Sequence, residues 1–214
     1  MIINPNSGPG TKGAPTDPNI VSGIAKLNSY PNVQTVGYVD TAHGARPIAD
    51  VNAEVDVYAG WTSSGSPNLK IGGIYFDDVS AETTSSMYSY YQGAAEHARS
   101  SIPSAHVAFN PGTIAPTQYF SYCDTMVEFE ASYSDYQSQN PIQKIPEEFR
   151  EKTALQVYST PEDTDVGSLV QTMAGDGVEA VYFGTDCCYK VFSATLLKAT
   201  ADAVMDGGTC SDEL

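Results

Sequence analysis

Residues 71–78 read Ile71-Gly72-Gly73-Ile74-Tyr75-Phe76-Asp77-Asp78, and this stretch decides the fold. Its β-branched and aromatic residues are typical of a buried strand, which two glycines open and two carboxylates close. A helix predicted over residues 87–101 follows closely, so the strand would feed a β-α-β unit. In such folds ligands bind at the carboxyl ends of parallel strands, where the two aspartates would lie.

The same alternation of strand and helix repeats about seven times along the chain. Strands are predicted over residues 1–4, 33–39, 71–78, 106–109, 124–129, 153–158 and 178–183. Helices are predicted over residues 19–29, 48–58, 87–101, 167–174 and 190–205, the first with Asp17 as its N-cap. This pattern predicts parallel strands joined by right-handed crossovers, and eight such units close a TIM barrel.

The predicted fold is therefore α/β, a TIM-type (β/α)8 barrel in which one unit is either unrecognised or absent before the first strand. An open doubly wound sheet is the alternative, although no G-x-G-x-x-G follows a strand. We expect one barrel domain over residues 1–205 and a short tail over residues 206–214. Residues 131–143 are predicted to form a polar loop, and residues 146–150 a helical turn.

The composition excludes several classes of partner. The 214 residues carry a net charge of -16 with only ten basic residues, so nucleic acid would be repelled. No apolar run approaches the length of a membrane span, and we expect a monomer with no membrane partner. The negative charge does not exclude neutral or cationic ligands. The 14 tyrosines and the many small polar residues suit the recognition of sugars.

The four cysteines and three histidines do not form a metal-binding motif. No C-x-x-C pair occurs and the histidines lie far apart, so we expect no metal and no cofactor. An even number of cysteines permits disulfides, and the sequence is compatible with one disulfide that involves Cys210. Cys187 and Cys188 are expected to be buried thiols. The first residues lack the basic and apolar segments of a signal peptide.

The acids at strand ends are the candidate catalytic residues. Taken alone, Asp77 and Asp78 fit a helix cap and a solvated loop charge better than catalysis. A third acid, Glu130, follows the strand predicted over residues 124–129 and would reach the same rim. Glu128 lies on the same side of that strand, but a structural interior hydrogen bond is the favoured interpretation for it. Glycoside hydrolysis needs two carboxyl groups that flank the scissile bond.

Three further residues at strand ends are candidates for binding a substrate. Asn4 and Asn110 precede proline-containing turns, and their amides can exchange hydrogen bonds with sugar hydroxyls. A turn amide that bonds its own backbone is the alternative for both. Tyr38 ends another strand and could stack on a sugar face.

The stretch Ile-Ile-Asn-Pro-Asn-Ser-Gly-Pro-Gly at residues 2–10 resembles the signature of spherulation-specific family 4, the spherulin-4-like proteins. Blocks at residues 37–39, 73–77, 110–113 and 129–130 resemble further family blocks in the same order. The family includes secreted fungal glycoside hydrolases with a (β/α)8 fold. They cut galactosaminogalactan, a polymer of galactose, N-acetylgalactosamine and galactosamine. The resemblance thus implies an extracellular or cell-wall location.

The resemblance implies that Asp77, Asp78 and Glu130 are the catalytic acids. Glu130 and Asp78 would form the acid/base and nucleophile-like pair, in an order that stays open, and Asp77 would orient the sugar. Two departures from the family pattern stand out. The enzymes carry Asp-Glu where this chain has Asp-Asp, and a carboxylate set back by about 1 Å can cost about a hundredfold in rate. Family members also carry a strand and helix before the signature, so we expect a truncated N-terminus.

The main functional hypothesis is an endo-acting glycoside hydrolase that cleaves a polysaccharide of galactosamine and N-acetylgalactosamine with paired carboxylates. The alternative is a non-catalytic spore or cell-wall protein that binds glycan, which the Asp-Asp departure motivates. A third hypothesis, an intracellular binding protein with no role in sugar chemistry, depends on the missing leader.

Overall fold

The computed structural model describes residues 1–10, 13, 15, 17–61, 68–187 and 189–207. Within these residues seven parallel strands form a sheet in chain order. They are β1 (Ile2–Ile3), β2 (Val36–Asp40), β3 (Gly73–Asp77), β4 (His106–Phe109), β5 (Thr125–Ser132), β6 (Thr153–Tyr158) and β7 (Ala180–Phe183). The predicted alternation of parallel strands and helices is confirmed. No helix in this described part is both long and apolar enough to cross a bilayer.

Six α-helices are found in the described part of the chain: α1 (Pro18–Leu27), α2 (Ile48–Gly60), α3 (Ser85–Ser101), α4 (Tyr133–Gln139), α5 (Val166–Gly175) and α6 (Ala194–Gly207). Asp17 caps α1 as predicted, because its carboxylate accepts a hydrogen bond from the backbone nitrogen of Asn19 at 2.8 Å. The predicted helical turn over 146–150 is a 3-10 helix, Glu147–Lys152.

The prediction of a polar loop over residues 131–143 is wrong. The strand before it continues to Ser132, and α4 and a 3-10 helix, Pro141–Lys144, fill the segment. The Ser132 hydroxyl caps α4 by accepting a hydrogen bond from the backbone nitrogen of Asp135 at 3.1 Å. A helix of seven residues is too short to display a clear apolar period, so the polar composition misled the prediction.

The chain divides into two compact units. The first unit comprises Met1–Pro111 and Ala115–Met126, and the second comprises Gly112–Ile114 and Val127–Leu214. The division into one barrel domain over 1–205 and a tail over 206–214 stays a prediction. Residues 208–214, with the cysteine at position 210, lie outside the described residues.

A glycine in the first unit allows a tyrosine to lie directly on the sheet. A Cβ at Gly37 in β2 would fall 2.6 Å from the ring of Tyr58 in α2. Tyr58 is fully buried, and its phenol donates a hydrogen bond to the backbone oxygen of Ile3 at 2.9 Å. The glycine of the 37–39 block therefore fixes how α2 packs on β1 and β2.

The second unit has its own apolar core, which β5, β6, β7, α5 and α6 build. Its buried members are Phe129, Ile142, Ile145, Leu155, Val157, Val166, Val170, Met173, Phe183, Leu196 and Ala203. Phe129 points into this core. Because side chains alternate along a strand, the next residue, Glu130, leaves the core and is half-buried.

Candidate functional site

Two neighbouring strands of the first unit end in aspartates. Asp40 in β2 and Asp77 in β3 are direct register partners. The strand ends at Asp77, and Asp78 adopts a left-handed conformation with φ 49°. A regular strand would send Asp77 and Asp78 to opposite faces of the sheet, and the left-handed turn breaks that alternation. Aspartate tolerates this conformation better than most residues.

Asp77 is held by two polar side chains, one in the neighbouring strand β2 and one on the residue that follows β4. The Asn110 amide donates a hydrogen bond to the Asp77 carboxylate at 2.7 Å, so this amide supports a carboxylate rather than only its own turn. The Tyr38 phenol also hydrogen-bonds Asp77. Burial, that bond and the nearby carboxylates raise the pKa of Tyr38 well above its usual range. The Asp77 carboxylate therefore has a fixed orientation.

Asp78 is more open and less tightly held than its neighbour. Its side chain is 56% exposed, and the His43 Nε2 atom lies 4.0 Å from its carboxylate. Partial burial raises the pKa of Asp78 above its ordinary value of 3.8, and the charge on Asp77 raises it further. Asp40 acts in the same direction, while His43 opposes it. A carboxyl group with a raised pKa is suited to hold and deliver a proton.

Thr41 fixes the backbone of the two aspartates. It is fully buried, and its backbone nitrogen donates to the carbonyl oxygen of Asp77 at 3.0 Å. Its hydroxyl lies 3.0 Å from that oxygen and 2.7 Å from the carbonyl oxygen of Asp78. Asp40 and Thr41 were not among the site residues predicted from the sequence. Asp40 follows Val39 at a strand end as Asp77 follows Phe76, so the same rule could have found it.

Removing the Thr41 hydroxyl should loosen this turn. We expect Thr41→Val to lower the free energy of unfolding by about 2 kcal/mol, because the carbonyl oxygens lose a buried donor. Thr41→Ser keeps the donor and is the matched control. Urea unfolding of the three proteins measures the difference, and equal losses in both variants would contradict the assigned hydrogen bonds.

The raised pKa of Asp78 predicts a pH-dependent stability. The folded chain binds this proton more tightly than the unfolded chain, so the contribution of Asp78 to stability is fully present below pH 3.8. It is lost as pH rises through the folded-state pKa. The melting temperature of Asp78→Asn relative to the unaltered chain should therefore increase with pH across this window. Asp202→Asn, at a side chain 57% exposed, is the control, and a difference that falls with pH would refute the sign.

Glu130 belongs to the second unit. Strand β5 continues two residues beyond it to Ser132, so Glu130 lies in the strand rather than at its last position. Its backbone nitrogen donates to the carbonyl oxygen of Gly112 at 3.1 Å, and the phenol of Tyr189 donates to its carboxylate. Glu128 is 2% exposed, in keeping with an interior structural role.

The structure also describes the surroundings of Asn4 and Cys187. Asn4 is exposed, and its side-chain oxygen accepts a hydrogen bond from the backbone nitrogen of Gly8 at 2.9 Å. This is the turn-internal bond of the alternative interpretation, and a role in substrate binding stays a prediction. The expectation of a buried thiol at Cys187 is wrong, because the residue is exposed in the turn after β7. Cys188 lies outside the described residues.

The chemistry available at these positions is that of carboxylates, amides and phenols. Among the described residues, no three His, Cys, Asp or Glu side chains are grouped so as to hold a metal ion. A carboxyl group that can keep a proton beside one that is fixed by hydrogen bonds can perform acid–base chemistry on a neutral substrate.

Known structures support the fold. The crystal structure of Aspergillus clavatus Sph3 in complex with GalNAc matches with a TM-score of 0.84 and 29% identity, over 94% of this chain and 83% of that one. The chitinase-like agglutinin RobpsCRA from Robinia pseudoacacia matches at 0.51 and 11% identity, over 97% and 91%, a likeness of fold alone. The predicted TIM-type α/β fold is confirmed, with seven strand units in the described residues.

Sequence relatives agree with the structural match. Spherulin-4 of Physarum polycephalum is 39% identical over 134 residues, which are 63% of this chain and 37% of that protein. The match therefore spans little more than a third of this relative's length. The model of spherulation-specific family 4 matches residues 1–204. The chain belongs to spherulation-specific family 4.

Proposed function

We propose that this chain is a glycoside hydrolase that cleaves within a polysaccharide containing galactosamine and N-acetylgalactosamine. The observation that carries the proposal is the pair of aspartates after β3, one fixed by Asn110 and Tyr38 and the other with a raised pKa. The sugar in the Aspergillus crystal structure, GalNAc, supports the substrate class. The proposal includes a location outside the cell or in its wall, and action as a monomer.

In the proposed reaction, Asp78 and Glu130 are the two carboxyl groups. The raised pKa of Asp78 supports its role as proton donor to the glycosidic oxygen, whose bond to the anomeric carbon then breaks. The Glu130 carboxylate either bonds to the anomeric carbon or takes a proton from the attacking water. In the first case water then displaces Glu130 from the anomeric carbon and gives one proton to Asp78, and in the second the proton taken by Glu130 returns to Asp78 through solvent. The water oxygen and its other proton remain on the anomeric carbon as a hydroxyl group. The products are two sugar chains with one new hydroxyl group each.

The other predicted residues would hold the sugar. Asp77 would accept hydrogen bonds from sugar hydroxyls in the orientation that Asn110 and Tyr38 impose on it. Tyr38 and Asn110 would also border the sugar, and Asn4 would contact it from the turn after β1. Each of these contacts uses a group that can donate or accept a hydrogen bond.

The charge of the chain supports a cationic substrate. A net charge of -16 would accelerate the encounter with a partly deacetylated polymer, whose free amines are positive. Because salt screens this attraction, kcat/KM should fall with ionic strength more than kcat does.

Product analysis tests the proposal directly. The purified chain is incubated with a polymer of galactosamine and N-acetylgalactosamine, and released oligosaccharides are identified by mass spectrometry. A chitosan of the same degree of acetylation is the control, because it carries the same charges on a different sugar. Release from the first polymer and not the second supports the proposal. No release from the first polymer, or equal release from both, overturns it.

A second candidate is a non-catalytic spore or cell-wall protein that binds glycan. The observation that favours it is the aspartate at position 78, one methylene shorter than a glutamate, which would leave the carboxylate about 1 Å short of a reacting atom. Calorimetric binding of galactosamine oligosaccharides without products after long incubation would support this candidate. Detected products exclude it.

A further inference from the structure

A tyrosine in the segment between β7 and α6 contacts the predicted catalytic glutamate. The phenol of Tyr189 donates a hydrogen bond to the Oε1 atom of Glu130, which lies 59 residues away in the chain. Both residues belong to the second unit. Tyr189 is 43% exposed, so the contact lies where a ligand from solvent can approach.

The backbone around Tyr189 is shaped to present this phenol. Tyr189 has φ 53°, a left-handed conformation that is unusual for an aromatic residue. The carboxylate of Asp186 accepts hydrogen bonds from the backbone nitrogens of Lys190 at 3.2 Å and Val191 at 3.5 Å, which organises the turn. The ring of Tyr182 in β7 lies 5.7 Å from the Tyr189 ring. A disfavoured conformation that its surroundings maintain often marks a functional position.

We propose that Tyr189 is the positioning residue of Glu130. A glutamate side chain has several rotatable bonds, and a hydrogen bond to one carboxylate oxygen restricts it to one arrangement. A reacting group gains rate when it is held in the productive geometry before the substrate arrives. The kinetic consequence rests on the proposed glycoside hydrolysis, whereas the contact between the two side chains can be tested without it.

The kinetic test removes only the hydroxyl. Tyr189→Phe should lower kcat about tenfold, the worth of one hydrogen bond of about 1.4 kcal/mol, and leave KM within about twofold. Tyr30→Phe makes the same change at a tyrosine that is 45% exposed in the first unit, and it should alter neither constant. An unchanged kcat in Tyr189→Phe, or a rise in KM alone, overturns the proposal.

A double-mutant cycle tests the contact independently of activity. Melting temperatures are measured for Tyr189→Phe, Glu130→Met and the double variant, because methionine keeps the length of the glutamate side chain but has no oxygen to accept the phenol hydrogen bond. We expect the sum of the two single decreases in melting temperature to exceed the decrease of the double variant by about 2 °C. In the double variant the second substitution removes a hydrogen bond that the first has already removed. Additive shifts overturn the proposal. A chain that releases no product from any polymer refutes the proposed function, while the cycle still decides whether Tyr189 holds Glu130.

Discussion

Replacement of Asp78 by asparagine is expected to slow oligosaccharide release by about two to four orders of magnitude, the range that general acid–base catalysis supplies. The amide keeps the shape of the side chain but cannot deliver a proton to a leaving group. Asparagine also accepts the left-handed conformation of position 78, so the fold should persist. The rate of reducing-end formation, measured at saturating polymer, reports the loss.

Two companion variants make this expectation specific. Asp202→Asn removes a carboxylate of nearly the same exposure, 57% against 56%, from the outer surface of α6 and should leave the rate unchanged. Glu130→Gln should cause a loss comparable to that of Asp78→Asn, because the proposed reaction needs both carboxyl groups. Turnover at the unaltered rate in either Asp78→Asn or Glu130→Gln would end the enzyme hypothesis and leave glycan binding.

Alanine at Gly73 is expected to destabilise the chain by about 3 kcal/mol, at the upper end of the usual cost of overpacking. A Cβ at this position would lie 2.7 Å from the backbone nitrogen of His106 and closer still to its carbonyl oxygen. These are backbone atoms of the neighbouring strand β4, which cannot rotate away as a side chain can. The added methyl group would push β3 and β4 apart where the two strands begin. The chain should therefore unfold at a lower concentration of denaturant.

Gly93 offers a matched control in the same unit. It lies inside α3, and a Cβ there would meet nothing within 4 Å. Gly93→Ala should therefore stabilise the chain by about 1 kcal/mol, because alanine favours the helix. Guanidinium unfolding of both variants compares the two glycines. A Gly73→Ala protein as stable as Gly93→Ala would mean that the close packing of β3 on β4 is misassigned.

Most strands could be predicted because their apolar runs are bounded by turn residues. The strands His106–Phe109 and Thr153–Tyr158 match their predictions to the residue, and α2 begins at Ile48 as its apolar spacing indicated. The short helix α4 escaped notice, since it has too few turns and too few apolar residues to show a period. The spacing of apolar residues therefore identified the long helices and the strands, but it did not reveal the short helix in the polar segment over residues 131–143.

The candidate site was predictable only where a residue ends an apolar run. Asp77 and Asp78 satisfy that rule, and so does Asp40, which was overlooked. Thr41 could not be found in this way, because its hydrogen bonds reach backbone oxygens 36 and 37 residues away. The same limit applies to Tyr189, whose partner is 59 residues distant. Contacts of this length depend on the packing of several elements and leave no local trace.

The left-handed turn at Asp78 also constrains how this position can change over evolutionary time. Aspartate and asparagine reach such a conformation with the help of their short polar side chains, whereas a longer acid lacks that local compensation. A glutamate introduced here would favour a different backbone conformation at position 78. That change would weaken the hydrogen bond from the Thr41 hydroxyl to the backbone carbonyl oxygen of this residue. Among natural homologues, the length of the acidic side chain at this position should therefore vary together with the backbone conformation of the turn. A single codon change would seldom convert one arrangement into the other.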